Sequence, residues 1–281
     1  MSFVPRLIGF MRKPAVDKWA AIQATLLTPG ARDRRRLHRL LSGPQSPPQV
    51  LRGSERMYVA YRPDSDFVYK NLPELGQLSE QWVKNNLTNN GGDLPRLYAI
   101  ALNVKQVLAD GVPGDMAELG VYRGNSAAVI AHYARLNRRK VLLFDTFEGF
   151  DRRDLTGTDQ SKNIEFSDTS LDAVRAIVGE DNVDFVKGWF PDSIPDYLHG
   201  GRFCFVHIDC DLYEPAKAGL EFFYARLSPG GLLVMHDYAN PYWPGIKRAL
   251  DEFCRDIPER PIILADKSGT AMLRKSASHA L

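Results

Sequence analysis

The chain has 281 residues, 44% of them hydrophobic and 25% charged, which suits a globular protein with one large α/β domain and an extension, or two small domains. No apolar run approaches the roughly 20 residues that cross a bilayer, residues 3–8 are too short and interrupted for a signal segment, and Cys204, Cys210 and Cys254 lack metal or disulfide spacing, so buried thiols and a cytoplasmic location are expected. The net charge of +2 hides an asymmetry, because residues 1–56 hold eleven Lys/Arg against three Asp/Glu, about +8, leaving about −6 for the remainder.

Arg32, Arg34, Arg35, Arg36 and Arg39 carry much of that basic arm. It is either a solvated or body-docked segment, or one attracted to an anionic membrane surface. Nucleic acid is disfavoured, since no aromatics interleave with the basic residues. Gly43-Pro44, Pro47-Pro48 and Gly53 make residues 42–56 a linker, and 64–90 reads as polar and mostly helical. After Pro95, Leu97, Ala101, Val104 and Leu108 recur at helical spacing until Gly111-Val112-Pro113-Gly114 stops the helix. The expected organisation is an arm and linker over 1–56, a helical accessory segment over 57–110 and a core over 111–281.

Strand–helix alternation then begins. Strands are expected at 116–121, 140–144, 183–186, 202–209 and 232–235, with helices at 126–136, 171–178, 215–227 and 245–254. Ser228-Pro229-Gly230-Gly231 reads as a turn, and 262–264 with 271–273 as a closing hairpin. Such alternation predicts a doubly wound, mostly parallel sheet, whose ligands bind beyond the carboxyl ends of its strands.

The first strand ends in Ala117-Glu118-Leu119-Gly120-Val121-Tyr122-Arg123-Gly124-Asn125-Ser126. Glycines here let the backbone approach a ligand, and the following helix N-terminus offers N–H groups, so Gly120, Tyr122, Gly124 and Ser126 are candidate cofactor contacts. The spacing is not the G-x-G-x-x-G of a dinucleotide site. Glu118 beside it suits a cofactor bearing an ammonium and a sulfonium, which points to S-adenosylmethionine and demotes NAD. Asp145, about 20 residues on, stands where an acid chelates ribose hydroxyls, or else caps its own turn. Gly188 and Trp189 follow the third strand, where an adenine ring would lie.

Asp209 and Asp237 each end a very apolar strand, and an unpaired carboxylate there is costly. With His236 they could bind a divalent cation, or His236 and Asp237 could simply pair with each other. Asp209 or His236 is the candidate proton acceptor. His207 reads as a buried, satisfied histidine. Tyr213, Tyr238, Tyr242 and Trp243 offer faces for a sugar ring.

These blocks, with Phe144-Asp145-Thr146-Phe147-Glu148-Gly149-Phe150, Lys187-Gly188-Trp189-Phe190-Pro191 and residues 207–214 and 229–238, resemble the macrocin-type O-methyltransferase family. The resemblance covers about residues 95–275. It implies a seven-stranded, Rossmann-like class I methyltransferase fold, preceded here by a helical N-terminal extension. It implies methylation of sugar hydroxyls with S-adenosylmethionine, commonly with Mg²⁺, in chains that often form homo-oligomers. It also implies cofactor contacts by Glu118, Gly120 and Asp145, and metal ligation by Asp209 and the acids after strand five. Many members carry Asp-Asp-Tyr where this chain has His236-Asp237-Tyr238. One negative charge is lost there, so a different ion, weaker Mg²⁺ binding, or a metal-free role of His236 as base are the alternatives. A non-catalytic cofactor-binding scaffold is a further one.

Overall fold

The computed structural model describes residues 49–52, 57–60, 74–86 and 93–276. The chain divides into two compact units, residues 1–70 and 71–281. In the first, β1 (Gln49–Arg52) and β2 (Met57–Ala60) pair antiparallel, with Val50 opposite Val59. Part of the expected linker is therefore a strand, in keeping with the β-forming Val50, Tyr58 and Val59. Of the expected arm and linker over 1–56, residues 1–48 and 53–56 lie outside the described residues, and with them the helical character and the alternatives of a solvated, body-docked or membrane-attracted arm.

The second unit opens with two helices. Helix α1 (Leu75–Asn85) buries Leu75, Leu78 and Trp82, and α2 (Leu94–Ala109) buries Leu97, Ile100, Ala101, Val104 and Val107. Pro95 in the first turn of α2 removes an N–H that would have no helical partner. The alternation follows as β3 (Asp115–Leu119), α3 (Asn125–Leu136), β4 (Val141–Asp145), α4 (Leu171–Val178), β5 (Val183–Lys187) and β6 (Phe203–Ile208). It continues with α5 (Tyr213–Arg226), β7 (Leu227–Met235), α6 (Pro244–Phe253), β8 (Ile262–Ile263) and β9 (Ala271–Arg274).

The sheet order is β5-β4-β3-β6-β7-β9-β8. The strands from β5 to β7 are parallel, β9 runs antiparallel to β7, and β8 antiparallel to β9. From the central β3 the chain winds outward through β4 to β5, then returns to place β6 on the other side of β3. That reversal opens a crevice at the carboxyl tips of β3 and β6. Ser228-Pro229-Gly230-Gly231 is not a turn ahead of the strand. β7 already pairs Leu227 with Phe203, carries these residues as an irregularity, and resumes with Leu232 opposite Phe205.

Side chains alternate across the sheet. Ala117, Leu119, Leu142, Phe144, Val206 and Ile208 join one core with Leu220 and Phe223 of α5 and Ile246 and Leu250 of α6. The intervening residues Met116, Glu118, Val141, Leu143, Phe205 and His207 point to the opposite face, where α2 packs on β6 and β7 and α3 on β3 and β4. Every residue of β6 is buried, as a central parallel strand requires. The three cysteines are unpaired, Cys204 and Cys254 buried and Cys210 partly so. Among the described residues, no helix is long and apolar enough to cross a membrane.

Candidate active site

After β3 the chain turns through residues 120–124 into α3. Gly120 has φ 85°, and a β-carbon on it would lie 2.2 Å from the Asp209 carbonyl oxygen, so this turn touches the tip of β6 backbone to backbone. Tyr122 is left-handed at φ 49°, and Gly124, at φ 78°, is the N-cap of α3. Ser126 is buried in the first turn of that helix. The neighbouring Asn125 donates from Nδ2 to the Trp82 carbonyl at 3.1 Å.

Asp145, at the end of β4, holds this turn. Its Oδ2 accepts from the Val121 and Tyr122 amides at 2.6 and 3.0 Å, and its Oδ1 from the Phe147 amide at 2.6 Å. A carboxylate oxygen accepts at about two positions, so the two amides fill Oδ2, while Oδ1 has one amide and a long contact from Thr146 Oγ1 at 3.4 Å. The turn-capping alternative is therefore present in the structure, and the position left for a ribose hydroxyl is on Oδ1.

A pocket opens beyond these strand tips, lined by Gly120, Tyr122, Asp145, Gly188, Trp189 and Asp209 among others. Gly188 has φ 146°, and a β-carbon there would meet Ser193 Cβ at 2.8 Å. The Trp189 Nε1–H is shared between both oxygens of Asp154 at 3.0 Å, and the Arg153 guanidinium lies 4.1 Å from its ring centroid. Burial pushes the Asp154 carboxyl up to about 6, although the indole donor and Arg153 oppose it.

The connection from β4 to α4 straps across this pocket, to which it contributes Phe150 and Phe166. Tyr122 donates to Asp168 Oδ1 at 2.7 Å, and Arg123 pairs with the same carboxylate. On the other side Tyr242 donates to Glu165 Oε1 at 2.7 Å, and Lys162 Nζ sits 3.3 Å from the Tyr242 ring centroid and 4.5 Å from that of Trp243. Trp243 is itself buried against Phe150, whereas the Tyr242 ring is more than half exposed.

The acids expected to meet do so. Asp209 follows β6, and His236 and Asp237 follow β7. His236 Nδ1 is 2.8 Å from both Asp209 Oδ1 and Asp237 Oδ2, and Asn240 Nδ2 donates to Asp237 Oδ1 at 2.6 Å. Burial and the Arg96 charge lower the His236 affinity for its proton, but Asp209 and Asp237 outweigh them and raise it to about 9. Asp209 is opposed by burial, yet Arg96 and His236 hold it well below the usual carboxylate range. Asp211 is driven the other way by burial, by Asp237 and by Asp209. Asp211 and Asp237 both take left-handed backbone, at φ 63° and 59°.

Glu118 is elsewhere. Its side chain is wholly buried on the α2 face, with Oε1 2.6 Å from His207 Nδ1, and it is not among the pocket-lining residues. Oε2 has no partner among the described residues. Sequence reading passed over two participants. Asp211 was legible as the second acid of Asp209-Cys210-Asp211, whereas Arg96 reaches Asp209 from α2, 113 residues away, and local pattern gives no sign of it.

The model of the macrocin-O-methyltransferase (TylF) family matches residues 72–274. An 8-demethyl-8-(2,3-dimethoxy-alpha-L-rhamnosyl)-tetracenomycin-C 4'-O-methyltransferase of Streptomyces olivaceus is 35% identical over 193 residues, covering 63% of this chain and 73% of that protein. A mycinamicin III 3''-O-methyltransferase of Micromonospora griseorubida is 30% identical over 206 residues, covering 63% and 80%. Among solved structures, the O-methyltransferase NovP superposes with a TM-score of 0.57 at 26% identity over 65% of this chain and 80% of that one. The chain belongs to the macrocin O-methyltransferase (TylF) family.

Proposed function

We propose that the chain transfers a methyl group from S-adenosylmethionine to a sugar hydroxyl of a glycosylated small molecule. The juxtaposition of the pocket at Gly120, Asp145 and Trp189 with the acid cluster of Asp209, Asp211, His236 and Asp237 carries this reading. The tetracenomycin relative is, by name, a methyltransferase of a rhamnosyl-bearing compound, which favours an acceptor of that class.

On this reading the glycine turn, Gly124 and Ser126 receive the methionine part of the donor, Asp145 its ribose, and Gly188 and Trp189 its adenine. Glu118, expected to meet the donor's cationic end, instead pairs with His207 on the opposite face and lines no part of the pocket. Transfer is an in-line displacement in which the hydroxyl oxygen attacks the methyl carbon and the C–S bond breaks. Holding the two reactants in contact supplies much of the rate.

The hydroxyl proton leaves to the acid cluster. Asp209 and His236 are the proposed acceptors: Asp209 is held ionised beside Arg96, whereas His236, raised to about 9, accepts only after giving up its own proton. The donor set suits a divalent cation. Asp209, His236 and Asp237 each place a ligand atom within 4.8 Å of the others. Those three residues would hold the ion, which when bound supplies Lewis acidity that makes the acceptor hydroxyl more acidic.

The test is calorimetric titration with S-adenosylhomocysteine, then transfer of labelled methyl to glycosylated polyketides bearing free sugar hydroxyls. Binding and a methylated product are expected. No heat from a folded chain would overturn the reading. Asp209→Asn and Asp237→Asn should each lower turnover at least about 100-fold, within the general-base range, while cofactor affinity changes less than about threefold. EDTA should lower activity, and Mg²⁺ or Mn²⁺ should restore it.

A further inference from the structure

Arg96 lies on α2 between apolar residues that pack the helix against the sheet. Its side chain is buried at the tip of β6, where Nη2 donates to Asp209 Oδ2 and approaches His207 Nε2 to 3.5 Å. The Trp82 ring of α1 covers it, 5.7 Å from ring centroid to guanidinium carbon. A guanidinium has donors and no acceptor, so His207 Nε2 accepts. The His207 proton is then on Nδ1, which donates to Glu118 Oε1 at 2.6 Å.

Glu118 and His207 have no exposed surface. The result is an enclosed row from Glu118 through His207 and Arg96 to Asp209, running beneath the acid cluster on the face away from the cofactor pocket. Packing alone does not call for it. Leu97, Ile100 and Val104 serve that purpose on the same helix, and a buried ion pair is commonly no more stabilising than well-fitted apolar residues. The arrangement does something an apolar residue would not: it occupies Asp209 Oδ2 and leaves Oδ1 directed at His236.

We propose that Arg96 is a positioning residue for methyl transfer, fixing Asp209 from α2, and that the Glu118–His207 pair fixes Arg96 in turn. The proposal rests on the methyltransferase reading above. Arg96→Met and Arg96→Lys are compared with the wild type for turnover at saturating acceptor, affinity for S-adenosylhomocysteine, and melting temperature. The Met variant should lose turnover about 100-fold, the scale of an ångström-sized misplacement, with cofactor affinity within about threefold of wild type. The Lys variant, which keeps the charge and loses the fork, should recover about tenfold of that loss.

Wild-type turnover in the Met variant overturns the proposal. So does a parallel loss of turnover and cofactor binding in both variants, which is the mark of a merely structural residue. If the Met variant does not fold, the Lys variant decides, since turnover about tenfold down at unchanged cofactor affinity supports the role and wild-type turnover or a parallel loss refutes it. A wild-type chain that binds no cofactor sinks the methyltransferase reading and this proposal together, whereas an active wild type with unaffected variants sinks only the latter.

Discussion

Gly120 is held to glycine twice over, by its left-handed backbone and by the Asp209 carbonyl 2.2 Å from where a β-carbon would stand. The obstacle is backbone, so no rotamer change relieves it. Gly120→Ala should destabilise the chain by about 2 kcal/mol or more, since the strained conformation alone accounts for 1–3, and the urea midpoint reports it. Asp154 gives a signed pH effect. Its folded pKa of about 6 exceeds the ordinary carboxylate value of about 3.8, so its stability contribution is full below about 4 and is withdrawn as pH rises through 6. Asp154→Asn should therefore gain stability relative to wild type at pH 7 compared with pH 4, measured by urea melts at both. Glu118 marks the limit of what residue types reveal at this scale. As the acid beside the glycines it reads as facing the ligand, but its neighbour Leu119 takes the pocket face and strand alternation sends Glu118 to the other.

At the scale of elements, hydrophobic period and glycine or proline punctuation locate the core strands and helices of residues 94–274 closely. The irregular part of β7 escapes that reading because Pro229-Gly230-Gly231 has turn composition while Leu227 still pairs with Phe203. Helix α5 shows what packing adds. The Phe223 ring lies 5.6, 5.8 and 5.3 Å, centroid to centroid, from Phe144, Phe190 and Phe203. Phe223→Ala should cost about 3–5 kcal/mol of stability, the range for emptying a buried aromatic site. The strap between β4 and α4 is held by weaker links. Cation–π contacts such as Lys162 with Tyr242 and Trp243 are worth about 0.5–2 kcal/mol. Lys162→Met should raise the rate of limited proteolysis within residues 147–170 several-fold and leave the melting temperature nearly unchanged. The length of this connection is visible in sequence, but its course across the pocket depends on partners as distant as Tyr242, 80 residues on.

For the molecule as a whole, a site at the carboxyl ends of the strands follows from a parallel, doubly wound sheet, which strand–helix alternation implies. That much was legible from alternation alone. The contribution of α1 and α2 was not, because Trp82 and Arg96 look like ordinary helix residues until the fold brings them to the tip of β6. A ligand that binds only the folded state stabilises it by mass action, by about 2.7 kcal/mol at 100 times its Kd. S-adenosylhomocysteine at that level should raise the melting temperature by roughly 5–10 °C for a unit of about 200 residues, and Asp145→Ala should reduce the shift.

The sulfur chemistry of the folded chain is silenced by its own packing. Burial lifts Cys204 to about 11 and raises Cys254, and burial with Asp211 and Asp154 nearby raises Cys210 further. Thiolate, the form that alkylating agents capture, is thus scarce in the native molecule at neutral pH. Uptake of iodoacetamide would then clock opening of the chain, with Cys210, in the wall of the pocket, sensitive to an occupant there.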